Sequence, residues 1–209
     1  MANTVAITLF RHWVTEANVR REYLGWTDSP LCPFERIVRL TQYEAVFSSD
    51  AGRCVATAKR YFSNEKLELV PEFRELNFGL WEGKTYHELK DKEEYRRWLS
   101  NPFMEKPPSG ESFAQFSQRI DSGWEKVVFR LLSGEIEGKV AIMTHGGVIR
   151  YLLSRFAPAR KPFWDWKIEH GKGYTLSWTH DGMRRRERCI LLQEAPLMAK
   201  HDGFRNTID

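Results

Sequence analysis

At 209 residues the chain is long enough for one domain with a sizeable buried core. Its net charge of +4, with Lys and Arg spread along the chain, suits a small acidic substrate and does not by itself call for nucleic acid. Three cysteines without CxxC spacing argue against a disulfide framework or zinc knuckle, and no apolar run reaches membrane-spanning length, so a cytoplasmic protein with no membrane partner is expected.

The amino terminus shows neither a charged n-region nor a cleavage site, so no signal peptide is expected. Val5-Ala6-Ile7-Thr8-Leu9-Phe10 reads as a short buried strand that delivers Arg11 and His12 to its end. Residues 34–43 have helical spacing, through Phe34, Ile37, Val38 and Thr41. Ala45-Val46-Phe47-Ser48-Ser49 is a second strand, and Asp50 is placed to cap a helix over residues 53–62. Residues 67–70 form a third strand. A charged helix over 88–99 and a proline-containing loop then break the rhythm. Residues 1–209 are therefore expected to form one domain, with an insertion at about 84–111 covering the active site. Ser112 opens a capping box with Gln115, and Phe113, Phe116, Ile120, Trp124, Val127, Val128 and Leu131 make one helical face. Lys139-Val140-Ala141-Ile142-Met143-Thr144 is a fourth strand, followed by a helix over 148–155. Asp181-Gly182 reads as a hairpin turn between strands 174–179 and 189–192. The basic run Met183-Arg184-Arg185-Arg186-Glu187-Arg188 then reads as a solvated edge strand, with a nucleic-acid patch as the minor alternative. The alternation argues for an α/β fold, a sheet covered by helices on both faces.

Polar residues collect where these strands end, which is where α/β folds bind ligands. Arg11-His12 follows the first strand, and His145-Gly146-Gly147 follows the fourth and opens a helix with unpaired amides. Arg53 sits in the first turn of a helix, unfavourably for the dipole, so a bound anion or a pairing with Asp50 should compensate. Glu75 and Glu82 lie in a glycine-containing stretch, and each could act as a proton donor. A metal held by His12, His145 and a carboxylate is disfavoured, because Arg11 and Arg53 would add positive charge beside a dication. A phosphoryl group asks for this mixture: arginines and amides for its oxygens, an imidazole to attack phosphorus, a carboxylic acid for the departing oxygen.

The sequence resembles the histidine phosphatase superfamily, the phosphoglycerate-mutase-like proteins. The opening RHG-x-T-x-x-N motif appears as Arg11-His12-Trp13-Val14-Thr15-Glu16-Ala17-Asn18. Gly25-Trp26-Thr27-Asp28-Ser29-Pro30-Leu31, Ser48-Ser49-Asp50-Ala51-Gly52-Arg53, Glu75-Leu76-Asn77-Phe78-Gly79-Leu80-Trp81-Glu82-Gly83 and Thr144-His145-Gly146-Gly147 follow in family order. The resemblance implies a three-layer αβα sandwich with a mostly parallel central sheet. It implies catalytic roles for His12, Glu75 and His145. Arg11, Asn18, Arg53, His145 and Gly146 would bind phosphate, and Thr15, Trp26 and Thr27 would contact substrate. It makes Glu82 structural, and it implies no metal or organic cofactor.

The G-x-x-D-x-P-L element resembles the branch holding α-ribazole phosphatases and broad-specificity phosphatases. Hydrolysis of a small phosphorylated metabolite through a phosphohistidine is therefore expected. A phosphoglycerate mutase and a non-catalytic phospho-ligand binder are the alternatives, and the oligomeric state is left open. Trp13 departs from the family, which has glycine there. An indole at that position fills space beside the site or packs away against a neighbour.

Overall fold

The computed structural model describes residues 4–33, 43–62 and 67–196. Its strands are β1 (Thr4–Arg11), β2 (Ala45–Ser48), β3 (Leu67–Leu69), β4 (Lys139–Thr144), β5 (Lys172–Thr179) and β6 (Leu191–Pro196). They form one sheet in the order β3-β2-β4-β1-β5-β6. The four strands β3, β2, β4 and β1 run parallel, while β5 and β6 add antiparallel at one side. The mostly parallel sheet is therefore a mixed one.

The helices are α1 (Glu16–Val19), α2 (Gly52–Tyr61), α3 (Tyr86–Leu89), α4 (Glu93–Ser100), α5 (Phe113–Leu132), α6 (Gly146–Phe156) and α7 (His180–Arg184). Side chains alternate across a strand, so each central strand feeds two cores. Ile7, Leu9, Phe47, Val140 and Ile142 pack with Ile120 and Val127 of α5 and Ile149 and Leu152 of α6. Phe10, Val46, Ala141 and Met143 pack with Cys54, Ala58 and Tyr61 of α2 on the other face. Helices thus cover both faces, which gives the three layers. Each large apolar side chain buried in this way contributes roughly 1.5–3 kcal/mol. Among the described residues no helix is long and apolar enough to cross a membrane.

The Ser112–Gln115 capping box is present and starts α5, whose buried face carries Phe116, Ile120, Trp124, Val127 and Leu131. Other expectations change. Asp50 does not cap α2; its carboxylate takes Arg74 instead, and Ala51 stands at the cap position. The helix expected over 88–99 is two helices. A Thr85–Glu88 capping box begins α3 early, and Lys92 in extended conformation separates it from α4. Leu89, Tyr95 and Trp98 then gather on Trp81 as a small satellite core. The basic run is no strand. Thr179 Oγ1 accepts from the Gly182 amide, so Asp181-Gly182 lies inside α7 rather than in a hairpin turn. Arg188 reaches the carbonyls of Ser154 and Ala157 at the end of α6. The edge strand is β6, beyond the run. The helix expected over 34–43 falls on residues outside those described, except for Tyr43, which is buried and not helical.

Candidate active site

Strand register assembles the site. Arg11 stands opposite Thr144 across the parallel β1–β4 pair, and the His12 amide donates to the Thr144 carbonyl at 3.0 Å. The next residue on each strand is a histidine, so the His12 and His145 rings lie 5.2 Å apart between centroids. Ser48 pairs with Met143 on the other side of β4, which brings Ser49 and the start of α2 beside His145.

Hydrogen bonds set the imidazoles. A carbonyl only accepts, so the 2.6 Å contact between His12 Nδ1 and Trp13 O places the proton on Nδ1. That leaves the lone pair on His12 Nε2. A guanidinium only donates, so His145 Nδ1 accepts from Arg53 at 3.2 Å, and His145 Nε2 donates to Ser49 Oγ at 2.9 Å. Both histidines are buried, at 3% and 1% exposure. Burial holds both well below the usual imidazole value, and the nearby Arg53 and Arg11 charges push the same way. His12 therefore presents a neutral, unshared nitrogen at pH 7.

Arg53 is fully enclosed. Its Nη atoms donate to the carbonyls of Gly25 at 2.6 Å and Thr27 at 2.8 Å, and Asp28 Oδ1 lies 3.3 Å away. Asp28, not Asp50, thus supplies the negative charge at the start of α2. Arg11 donates to the Ile168 carbonyl at 2.5 Å. Burial pulls its guanidinium down to about 10, although Glu75 opposes the shift. The Nε atoms of Arg11 and Arg53 are both buried without a hydrogen-bond partner. Orphaned charged donors are expensive, and an anion that reached them would remove the cost.

Glu75 closes the other side. Its Oε2 accepts from the Gly147 amide at 2.8 Å and its Oε1 from Leu76 at 3.0 Å. A Cβ on Gly147 would sit 2.2 Å from Glu75 Oε1, so only glycine lets the carboxylate approach. Gly146 begins α6 and carries one of its free amides. Glu82 is engaged differently. Its carboxylate accepts from the amides of Gly25, Trp26, Thr27 and Phe78 and from the Thr27 hydroxyl. It shapes the loop whose carbonyls hold Arg53.

The expected substrate contacts are occupied otherwise. The Thr15 hydroxyl is fully buried in a capping box with Asn18, whose Oδ1 is used there too. Thr27 gives its hydroxyl to Glu82. Trp26 lies under the guanidinium of Arg74 at 4.9 Å and donates to the Glu75 carbonyl at 3.1 Å. These hydrogen bonds fix the three side chains within the walls of the site. Trp13 packs on Gly171, where a Cβ would lie 2.6 Å from its ring. Of the two possibilities for this indole, packing against a neighbour is the one found.

His170 was not anticipated. Its ring lies 5.2 Å from that of His12, and its Nδ1 donates to the His12 carbonyl at 3.1 Å. Burial and then Arg11 pull it down to about 4. The available signal was His170-Gly171 directly before β5, a second His-Gly pair at a strand end. Among the described residues no group of three or more His, Cys, Asp and Glu side chains could hold a metal ion. A cavity of about 460 Å³ opens beside Glu75 and Gly147. A wider groove of about 900 Å³ on the α5 face contains no histidine, and its rim charges pair with one another, as Arg155 does with Asp121.

Comparison with known proteins gives a consistent result. Residues 7–189 match the model of the histidine phosphatase superfamily, branch 1. The adenosylcobalamin/α-ribazole phosphatase of Escherichia coli is 28% identical over 177 residues, covering 78% of this chain and 85% of the relative. A metal-independent phosphoserine phosphatase of Arabidopsis thaliana is 31% identical over 169 residues, 73% of this chain and 69% of the relative. The α-ribazole phosphatase structure from Shigella flexneri superposes with a TM-score of 0.68 at 25% identity, over 82% of this chain and 89% of that one. A phosphoglycerate mutase structure from Bacillus anthracis gives 0.69 at 23% identity over 86% and 90%, a likeness of fold.

Proposed function

The chain belongs to branch 1 of the histidine phosphatase superfamily, and from that premise we propose that it hydrolyses a small phosphorylated metabolite through a phosphohistidine on His12. The observation that carries the reading is the pair of orphaned buried donors, Arg11 Nε and Arg53 Nε, on the two arginines whose charges act on His12, together with the unshared His12 Nε2.

In the first step His12 Nε2 attacks phosphorus and the bond from phosphorus to the ester oxygen breaks. The carboxylic acid of Glu75 gives its proton to the departing alkoxide. Arg11 and Arg53 hold the phosphoryl oxygens, with His145 and the Gly146 amide beside them and Asn18 assisting through its amide nitrogen. In the second step the Glu75 carboxylate takes a proton from water, whose oxygen attacks phosphorus. The phosphorus–nitrogen bond breaks, and inorganic phosphate and neutral His12 result. No metal or organic cofactor enters this scheme. Relatives named for α-ribazole and phosphoserine chemistry support the choice of a phosphomonoester. The reading extends to a cytoplasmic location, which the free Cys32, Cys54 and Cys189 suit.

The test is a rapid, acid-free quench with labelled phosphomonoester, followed by mapping of the label. Label on His12, and no turnover in a folded His12→Ala variant, is the expected result. Label elsewhere, or full activity without His12, would overturn the assignment.

A further inference from the structure

The cavity of about 460 Å³ beside Glu75 is lined by Phe78, Trp98, Phe103, Phe113, Phe163 and Trp164, among others. Several separate pieces of chain supply its rings: the segment at Phe78, α4 with Trp98, the stretch after α4 with Phe103, the start of α5 with Phe113, and the turn at Phe163–Asp165 after α6. Phe103 joins the last two to each other. Its ring lies 4.7 Å from Phe113, 5.8 Å from Phe163 and 6.4 Å from Trp164. Phe103 and Trp164 are nevertheless 43% and 55% exposed, so their faces remain open to an occupant. Arg150 is the cation that lines this space. It lies 5.8 Å from the Trp164 ring centroid, and its Nε donates to the Trp166 carbonyl.

The cavity is continuous with the chemistry, because Glu75 and Gly147 line it as well. A leaving oxygen that receives a proton from Glu75 must lie within hydrogen-bond reach of that carboxyl. The body of the alcohol therefore begins at Glu75. Its volume falls in the range of sites that take a whole small molecule. Open aromatic faces gain from covering apolar or ring-bearing surface. A short zwitterionic alcohol such as that of phosphoserine would leave them wet and would set its own charges against apolar walls. Resting on the phosphomonoesterase reading above, we infer that this cavity is the leaving-group site, and that the preferred substrates are phosphate monoesters of primary alcohols carrying a large apolar ring system.

The test compares primary-alcohol esters in which the body of the alcohol changes: ethyl phosphate, phosphoserine and 2-(2-naphthyl)ethyl phosphate. The naphthyl ester should exceed both others in kcat/KM by at least about tenfold, since a single methylene in an apolar pocket already moves specificity by that order. Phe103→Ala and Trp164→Ala should each remove most of that advantage, bringing kcat/KM for the naphthyl ester down toward that for ethyl phosphate. Phe103→Leu, which keeps an apolar wall, should retain part of it. Equal kcat/KM for the three esters, a preference for phosphoserine, or a naphthyl preference untouched by both alanine variants would overturn the assignment while leaving the phosphatase reading intact. Phosphate release from none of the esters, and none from p-nitrophenyl phosphate, would overturn both.

Discussion

The Nδ1 of His170 donates to the carbonyl oxygen of His12 at 3.1 Å, so one histidine holds the backbone of the other. The adjoining carbonyl, of Trp13, holds the His12 ring itself. His170 is thus placed to fix the peptide from which the attacking imidazole projects. It is a positioning residue. His170→Ala should lower kcat by roughly ten- to a hundredfold, the scale of a small misplacement of reacting groups, with KM little changed. His170→Asn keeps a donor and should recover part of the loss. Steady-state kinetics on folded protein would decide, and an unchanged kcat in His170→Ala would remove the residue from the mechanism.

Stability should fall on mild acidification. His12, His145 and His170 all have folded values below the usual 6.5, with His170 at about 4. Between pH 6.5 and about 4 the unfolded chain binds protons that the folded chain refuses, so these groups favour unfolding as pH drops. His170 can contribute up to roughly 1 kcal/mol per pH unit over that window, and His12 and His145 act in the same direction. Urea unfolding at pH 7 and pH 5 measures the difference, and His170→Asn should reduce its slope. A stability that rises toward pH 5 would contradict the burial argument.

Much of this site was legible because strand ends are legible. Arg11-His12 and Thr144-His145 each close an apolar run, and parallel pairing then sets the two histidines side by side. The capping box of α5 and its apolar face were equally readable from spacing. What escaped depends on contacts between distant pieces of chain. His170 meets a backbone carbonyl 158 positions away, which no side-chain pattern announces. Asp28 reaches Arg53 across 25 positions, whereas Asp50, nearer in sequence, turns to Arg74. The partners that Thr15, Trp26 and Thr27 take within the fold were equally hidden: Thr15 caps α1, the Trp26 indole donates to the Glu75 carbonyl, and the Thr27 hydroxyl donates to Glu82.

The contact between Trp13 and Gly171 offers a stability test. Gly171 has φ of +66°, and a Cβ there would meet the Trp13 ring at 2.6 Å. Gly171→Ala should cost about 2 kcal/mol or more from backbone strain and overpacking together. Trp13→Gly relieves the overpacking but not the strain. A double-mutant cycle by urea unfolding should therefore show a favourable coupling of about 1 kcal/mol. Strict additivity would mean that the indole does not rest on Gly171.

Glu75 and Glu82 separate by their partners, and this gives the sharpest test of mechanism. Glu75 has two amide donors, from Leu76 and Gly147, and faces the cavity where an alcohol would leave. Glu82 has five donors and no part of its carboxylate to spare. Glu75→Gln should slow a primary-alcohol ester by roughly two to four orders of magnitude, because a poor leaving group needs the proton. p-Nitrophenolate leaves unaided, so its release in the first step should survive and appear as a burst before slow turnover. The slow phase reports the water that Glu75 no longer activates. Glu82→Gln turns an amide group toward a nest of donors and should instead cost about 1–3 kcal/mol of stability. Its effect on rate should be the same for both esters, since it disturbs the loop that seats Arg53 and not the departing oxygen. If the leaving-group dependence appears in Glu82→Gln and is absent from Glu75→Gln, the acid is Glu82 and the roles drawn here are reversed.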